Sequence, residues 1–314
     1  MAAWLKRLRA PRLPQGRLGL RREWWIFSAL FLLACWWLST PGALERGNLL
    51  VQDLSARLPQ RPASPEVVVI AIDERSMEAI GRWPWRRAIH AQLVRHLSAQ
   101  NPKAIGLDIL FSEEDLDYPM DDVLLADAIA DSGRVVLPVA MGPSGTAVGQ
   151  IPPLGRAAAT LGHVQLLVDA DGGVRSFPPR FGLPGHSHLH LGLAMLCIAQ
   201  PQDAWCRPPP PDPLPATLYI GFASGQPAFT TYSYIDVVRG TIPASAFRGK
   251  YVLVGSVATG LATPVATPSR TEPHAPNVVM VAHILNGALQ HPHPAPAPAL
   301  ANHLFTAIPV LLAL

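Results

Sequence analysis

The sequence predicts an α/β fold with a mixed, largely parallel sheet and flanking helices, tethered by an N-terminal transmembrane helix and the start of a C-terminal one. Mostly apolar runs such as Val67–Ile72 and Ala104–Leu110 are typical of strands that are buried on both faces. A helical pattern separates them, and a strand, a helix and a second strand in succession predict a parallel pair. The third observation is Trp24–Leu38, a long apolar run without a charged residue.

The charge pattern around this run predicts its orientation. Seven Lys and Arg residues precede Trp24, and basic residues collect on the cytoplasmic side of membrane helices. The run is slightly short for a spanning helix, which needs about 17–25 residues, but Ser39 and Thr40 extend it to that length. We therefore predict a basic cytoplasmic leader over 1–22 and a transmembrane helix over 23–40. A cleaved signal peptide is the alternative, since a basic leader and an apolar core also fit that pattern.

The end of the sequence is also apolar. Leu304–Leu314 is too short to cross a bilayer, so it is either the start of a truncated second transmembrane helix, predicted over 303–314, or an apolar tail. We favour the truncated helix. Residues 41–302 then form one domain outside the cytoplasm.

Within 41–302 the apolar periodicity predicts alternating strands and helices. Ile89, Leu93 and Leu97, for example, recur at helical spacing before Asn101 and Pro102 end the pattern. Pro138 predicts that its strand lies at an edge or ends there. The predicted strands are 67–72, 104–110, 134–140, 163–168, 174–181, 218–222 and 250–255, and the predicted helices are 42–58, 76–80, 88–100, 119–131, 188–199, 233–239 and 278–289.

Polar side chains follow the predicted parallel strands, where α/β proteins bind ligands. The candidate ligand-binding residues are Asp73, Arg86, Arg87, Asp108 and Ser256. Two acids and two guanidinium groups at one rim could bind a polar small molecule. They could equally form a fixed structure, with Asp73 capping the turn that follows it and Asp108 pairing with an arginine. A metal-assisted hydrolase would need a third ligand beside the two carboxylates, and we predict no catalytic residue.

Four other motifs favour structural roles. Gly255–Gly260 has the small residues of an anion-binding loop but lacks the lysine of a phosphate loop. His186–His190 holds three histidines without an acid or cysteine to complete a metal site, so we predict no metal and no cofactor. Asp169–Gly173 predicts the tight turn of a hairpin. Cys197 and Cys206 could form a disulfide in an oxidising compartment, or Cys197 could be buried and Cys206 free.

Several segments together resemble one protein family. They are VVVIAIDERSMEAIGRWPWRRAIHAQLVRHL at 67–97, PKAIGLDILFSEED at 102–115, VDADGGVR at 168–175, YSYIDVVRG at 232–240, GKYVLVGSVATGLATPVATP at 249–268 and VVMVAHILNGAL at 278–289. In this order they resemble the CHASE2 sensor domain of bacteria, over about Leu44–Leu289. Two stretches depart from the family: Ala262-Thr263, where an acid is common, and Ala275–Asn277, where Pro-Gly-Val is common.

The resemblance implies an extracytoplasmic sensory domain of a receptor in the bacterial inner membrane, with a cytoplasmic N-terminus and a periplasmic main domain. It also implies a cytoplasmic output domain, such as a nucleotide cyclase or a kinase, which this sequence lacks. The expected stimulus is an unidentified small molecule or environmental signal, the expected assembly is a homodimer through the full-length receptor, and neither nucleic-acid binding nor enzymatic activity is expected. The alternative is an extracytoplasmic interaction or structural module that binds another envelope protein.

Overall fold

The computed structural model describes residues 17–38, 49, 52–53, 62–142, 147–183, 186–207, 217–269 and 271–290. The predicted segment 303–314 and most of the predicted helix 42–58 lie outside these residues. The chain divides into two compact units, Met1–Gln52 with Ala297–Leu314, and Asp53–Pro296.

The first unit contains helix α1, Arg17–Leu38. Its large apolar side chains are exposed, among them Trp25, Phe27 and Trp36. Among the described residues, no helix is both long enough and apolar enough to cross a membrane.

A seven-stranded sheet forms the centre of the second unit. Its strands are β1 (Val67–Ile72), β2 (Ala104–Leu107), β3 (Val135–Met141), β4 (Ala147–Val148), β5 (Thr160–His163), β11 (Thr230–Ser233) and β12 (Tyr251–Ser256). The order is β11-β1-β12-β2-β3-β4, with β5 also paired to β3. Every pair is parallel except β3 with β4, which confirms the prediction of a mixed, largely parallel sheet.

Helices cover both faces of this sheet. They are α2 (Glu74–Ile80), α3 (Arg87–Ala99), α4 (Pro119–Ser132), α5 (Pro152–Ala157), α6 (Leu191–Ala199), α7 (Tyr234–Val238) and α8 (Asn277–Gln290). Because side chains alternate along a strand, Val68, Ile70 and Ile72 pack with α3, α4 and α7, whereas Val67 and Val69 pack with α6 and α8. Burial on both faces explains why β1 is a continuous apolar run.

Short strands form the rest of the domain: β6 (Leu167–Val168), β7 (Val174–Phe177), β8 (Arg180–Leu183), β9 (His186–Leu189), β10 (Leu218–Tyr219), β13 (Val265–Ala266) and β14 (His274–Ala275). β6 and β7 pair antiparallel, which confirms the predicted hairpin. Two short 3-10 helices lie at Ala204–Cys206 and Ala244–Ala246. A disulfide joins Cys197 at the end of α6 to Cys206.

Several predictions about local structure were wrong, among them the single strand over 163–168, which is divided between a strand ending at His163 and one beginning at Leu167. Pro138 lies inside the sheet, because the ladder between β2 and β3 stops at Val136 while β5 pairs on the other side of β3. The helix predicted from His188 begins only at Leu191, after β9 has paired with β8. Strand β11 was not predicted, because its sequence Thr-Thr-Tyr-Ser lacks the apolar pattern of a buried strand.

Two hydrogen bonds connect the segment before β1 to the end of α8. Ser64 donates its backbone N–H to Asn286 Oδ1 at 2.8 Å. Gln290, the last residue of α8, donates from Nε2 to the carbonyl of Pro62 at 3.1 Å. The segment that enters β1 therefore runs beside the end of the last described helix.

Candidate functional site

A cavity of about 570 Å³ opens beyond the carboxyl end of β2, between two segments of the chain. One is the Trp-Pro-Trp turn before α3, with the start of that helix, and the other is the loop 109–118 that follows Asp108. The lining residues are Trp83, Pro84, Trp85, Arg86, Arg87, His90, Ile109, Leu110, Phe111, Ser112, Glu113, Glu114, Asp115, Leu116, Asp117 and Tyr118. We name this space the loop cavity. Its volume lies within the range of about 300–1,000 Å³ that is usual for small-molecule sites.

Arg86 joins the turn to α4. Its guanidinium donates from Nε to Asp121 Oδ2 at 2.9 Å and from Nη2 to Oδ1 at 3.1 Å. The same group lies 3.7 Å from the centre of the Tyr118 ring. Hydrogen bonding to Arg86 holds the pKa of Asp121 below its usual value. Arg86 therefore lines the cavity as a paired cation.

Arg87 holds the loop itself. Its Nε lies 2.9 Å from Asp122 Oδ1, its Nη1 lies 3.5 Å from Asp115 Oδ2, and its Nη2 donates to the carbonyl of Glu113 at 2.6 Å. Asp122 Oδ2 also accepts from the backbone N–H of Asp115 at 2.9 Å. The two arginines are thus cross-links between the turn, the loop and α4, and they set the width of the cavity.

A buried histidine forms part of the cavity wall. The ring of His90, only 1% exposed, packs against Trp83, Trp85 and Phe111. Its Nδ1 lies 2.9 Å from the hydroxyl of Tyr234, and its Nε2 has no hydrogen-bond partner. Burial, and secondarily the charge of Arg87, lowers the pKa of His90 to about 3, so the ring is neutral at pH 7.

The neutral ring has a preferred tautomer. If the Tyr234 hydroxyl donates to Nδ1, only the Nε2 proton lacks a partner. If Nδ1 donates instead, both the hydroxyl proton and the Nε2 lone pair are left unsatisfied. Since buried polar groups without partners are unfavourable, we assign the proton to Nε2. His90 Nε2 is then a buried donor without a hydrogen-bond partner among the described residues.

Asp73 is a structural residue. Its Oδ1 accepts from the backbone N–H of Ser76 at 2.9 Å, from Ser76 Oγ at 2.5 Å and from Ser233 Oγ at 2.9 Å. The expectation that Asp73 caps the following turn is confirmed, because it is the N-cap of α2. Its hydrogen bond with Ser233 also connects the end of β1 to the end of β11.

Asp108 contacts the opposite side of the molecule from the arginines. Its Oδ2 accepts from Asn277 Nδ2 at 2.8 Å, at the start of α8, so the expected pairing with an arginine was wrong. Burial raises the pKa of Asp108 to about 6, and the hydrogen bond from Asn277 opposes part of that rise. Asp73 and Asp108 follow strands separated by β12, so their backbones are about 10 Å apart.

Ser256 faces the other side of the sheet from Asp108. It continues the side of Val254, which packs with α3, whereas Asp108 continues the side of Gly106, which packs on Met195 of α6. The hydroxyl of Ser256 is buried without a hydrogen-bond partner. Of the five predicted site residues, Arg86 and Arg87 line the loop cavity, whereas Asp73, Asp108 and Ser256 are not among its lining residues.

The loop 109–118 and His90 were not among the predicted site residues. The loop directly follows the predicted strand 104–110, and functional residues often lie on such loops. His90 gives no comparable signal, because it lies on the buried side of α3 with Leu93 and Val94.

The other candidate motifs are structural. His186 and His188 lie on β9, and His190 caps α6 through its Nδ1. Within the described part of the chain, no three His, Cys, Asp or Glu side chains are placed to hold a metal ion. A carboxylate pair at Asp73 and Asp108 therefore has no third ligand among these residues. Asp169 and Asp171 bind Arg175, which also pairs with Asp53.

The comparisons with known proteins agree with the resemblance seen in the motifs. The sequence model of the CHASE2 domain matches residues 28–314, which is most of the chain. No curated protein and no solved structure shows significant similarity to it.

Proposed function

Because the chain belongs to the CHASE2 family of extracytoplasmic sensor domains, we propose that it is the signal-input part of a bacterial membrane receptor. In this proposal the domain receives a stimulus outside the cytoplasm and passes it to a cytoplasmic output domain that lies beyond this sequence. The chain itself carries out no reaction. A homodimer is proposed only for the full-length receptor, because many output domains of this kind act in pairs.

The observation that carries the proposal is the loop cavity. It lies where ligands bind in parallel α/β sheets, has the size of a small-molecule site and has aromatic walls that include Trp83, Trp85 and Tyr118. Arg86 and Arg87 are already neutralised by acids. We therefore expect a small molecule with an apolar ring or chain that packs on these walls.

A route for the signal starts at the same loop. Residues 109–118 follow Asp108 directly, and Asp108 is hydrogen-bonded to the first residue of α8. That helix is the last described element before the segment predicted to enter the membrane. A ligand that prefers one position of the loop would shift the population of positions of α8. Asp108 and Asn277 are the proposed coupling contact.

Membrane attachment is the remaining part of the proposal. It is supported by the basic leader, the charge-free run Trp24–Leu38 and the exposed apolar side chains along α1, which lipid would cover. The proposed topology places the basic leader 1–22 in the cytoplasm, residues 23–40 in the inner membrane and residues 41–302 in the periplasm. Ser39 and Thr40, which would lengthen the apolar run, lie outside the described residues.

The test is a thermal-shift screen of the full chain against small metabolites, repeated on a variant with a filled cavity. Ser112 lines the cavity and is exposed, so Ser112→Trp should block the site with little effect on folding. Ser187→Trp changes an equally exposed serine on β9 and is the matched control. A ligand of the loop cavity should raise the melting temperature of the wild type and of Ser187→Trp, and should alter the fluorescence of Trp83 and Trp85. It should not raise the melting temperature of Ser112→Trp. A ligand that stabilises all three proteins alike binds elsewhere and contradicts the assignment of the cavity.

A further inference from the structure

The exposed apolar side chains of the domain are concentrated on one segment. Six large apolar residues between positions 110 and 124 are exposed, and they include Leu116 at 85% and Met120 at 66%. The full set is Leu110, Leu116, Tyr118, Met120, Val123 and Leu124. In the described part of the unit Asp53–Pro296, only Val148, Val168 and Leu183 are comparably exposed, and they lie on three separate strands. A contiguous group of this kind marks an interaction site more often than a random feature of the surface.

The same segment is strongly acidic. Residues 110–124 contain six Asp and Glu residues and no Lys, Arg or His. Asp115, Asp121 and Asp122 are neutralised by Arg86 and Arg87, but Glu113, Glu114 and Asp117 are exposed. The acidic character continues along α4, where Asp127 and Asp131 are exposed on the side of Val123 and Leu124. We call the surface of residues 110–131 the acidic-apolar face.

Few cations balance these charges. Arg95 donates to the backbone carbonyl of Leu124 at 3.4 Å, and Arg86 lies over the Tyr118 ring while pairing with Asp121. Arg87 donates to the backbone carbonyl of Glu113, and no described contact brings a guanidinium to the side-chain carboxylates of Glu113, Glu114 or Asp117. The exposed carboxylates therefore give this apolar surface a negative electrostatic potential.

Charge decides what can cover this face. Two copies that met through it would bring the same exposed carboxylates together, and facing like charges destabilise a contact. An anionic membrane surface is disfavoured for the same reason. A segment with apolar side chains on one side and lysines or arginines around them satisfies both features at once.

We propose that the acidic-apolar face binds a cationic amphipathic segment of another envelope protein. The apolar side chains of the partner cover Leu116, Met120 and Val123, and its basic side chains reach the carboxylates of Glu113, Glu114 and Asp117. This contact goes beyond the proposed small-molecule function, because it does not require the loop cavity to be occupied.

The experiment uses the full chain in nanodiscs of zwitterionic phosphatidylcholine, with empty nanodiscs as background. The probe is a dye-labelled helical peptide of Leu and Lys, about 18 residues long so that it can form an isolated helix, with all its leucines on one side. Binding is followed by fluorescence anisotropy. We expect saturable binding that weakens about tenfold or more when NaCl rises from about 0.05 to about 0.5 M, because the Debye length shortens.

Matched variants test the location of the contact. The pair Leu116→Ser with Met120→Ser should weaken binding about tenfold, whereas Leu183→Ser with Val168→Ser, which removes apolar groups exposed to 58% and 66% elsewhere, should not. Asp117→Asn should weaken it, and Glu78→Gln, at another exposed acid, should not. Circular dichroism verifies that each variant is folded.

Four outcomes would overturn the proposal. One is that the wild type does not bind the peptide above background, and another is that both pairs of variants bind equally. The third is that the same peptide with Glu in place of Lys binds as well. The last is that sedimentation shows the wild type, but not the Leu116 and Met120 variant, to self-associate, which would make the face a contact between copies of this chain.

Discussion

Asn277 Nδ2 donates to Asp108 Oδ2 at 2.8 Å, and this one bond joins the end of β2 to the start of α8. The pair lies between the loop cavity and the last described helix. Burial raises the pKa of Asp108 to about 6, so the carboxylate is charged at pH 7 in surroundings that favour its neutral form. The charged form of this contact therefore lowers the stability of the folded domain at pH 7.

Asp108→Asn should therefore stabilise the domain at pH 7. A raised pKa means that the folded state binds the proton more tightly than the unfolded chain. The stability from Asp108 is complete below about pH 4 and is lost as pH rises through about 6. Each unit of pKa difference corresponds to about 1.4 kcal/mol, so we expect a gain of about 1–3 kcal/mol from removing this buried charge.

Urea denaturation at pH 7 and at pH 4 measures this effect. The gain from Asp108→Asn should be present at pH 7 and nearly absent at pH 4. Asn277→Ala is the companion variant, since losing its amide removes the group that lowers the Asp108 pKa and should destabilise the protein more at pH 7 than at pH 4. Equal effects of either substitution at both pH values would contradict the account.

His90 should make the domain sensitive to acid. Its pKa of about 3 in the folded protein lies far below the value of about 6.5 expected in the unfolded chain. Between these values the unfolded state binds a proton that the folded state does not, so stability is complete above about pH 6.5 and falls as pH decreases. One such group removes about 2 kcal/mol between pH 7 and pH 5.

The slope of stability against pH is the quantity to measure, because His90→Gln also alters packing and lowers stability at every pH. The slope between pH 7 and pH 5 should decrease in this variant. Part of the slope should remain in this variant, because burial also lowers the pKa of His163 to about 3. His274→Gln, at an exposed histidine, should leave the slope unchanged. An unaltered slope in His90→Gln would refute the prediction.

Gly255 is required by the approach of α8 to β12. A Cβ at this position would lie 2.6 Å from Val278 Cβ and 3.2 Å from Asp108 Cβ. We expect Gly255→Ala to lower the free energy of unfolding by about 1–3 kcal/mol. Gly221→Ala is the control, because no atom lies within 4 Å of its added Cβ. Similar denaturation midpoints for both variants would show that α8 adjusts freely.

The disulfide between Cys197 and Cys206 should stabilise the domain through the short loop that it closes. The cysteines are nine residues apart, and a loop of this length restricts the unfolded chain by about 2–3 kcal/mol. The double variant with serine at both positions should have the melting temperature of the reduced wild type, and added reductant should not change it. A wild type whose melting temperature is the same with and without reductant would contradict this prediction.

The strands that could be predicted are those that the fold buries on both faces. β1 and β12 lie in the middle of the sheet, so their sequences are continuously apolar and their positions follow from the pattern. β11 lies at the edge and is half-exposed, so its polar sequence resembles a loop. The edge position predicted from Pro138 was wrong because β2 stops before it reaches this proline. Where β2 stops depends on distant parts of the chain and cannot be inferred from the residues around Pro138.

The site was predicted only in part for a similar reason. The rule that ligands bind at strand ends correctly placed Arg86 and Arg87 beside the loop cavity, whereas it could not indicate that acids of α4 neutralise both. The same rule could not indicate that Asp108 and Ser256 face opposite sides of the sheet. Their opposite directions follow from the alternation of side chains only after the register of β12 against β2 is known.

The hydrogen bond between Gln290 and Pro62 brings the segment before β1 beside the end of α8. Since these two segments are neighbours, we expect that residues 62 and 290 can be linked by a short turn while new chain ends are cut at a surface loop, giving a circular permutant that still folds.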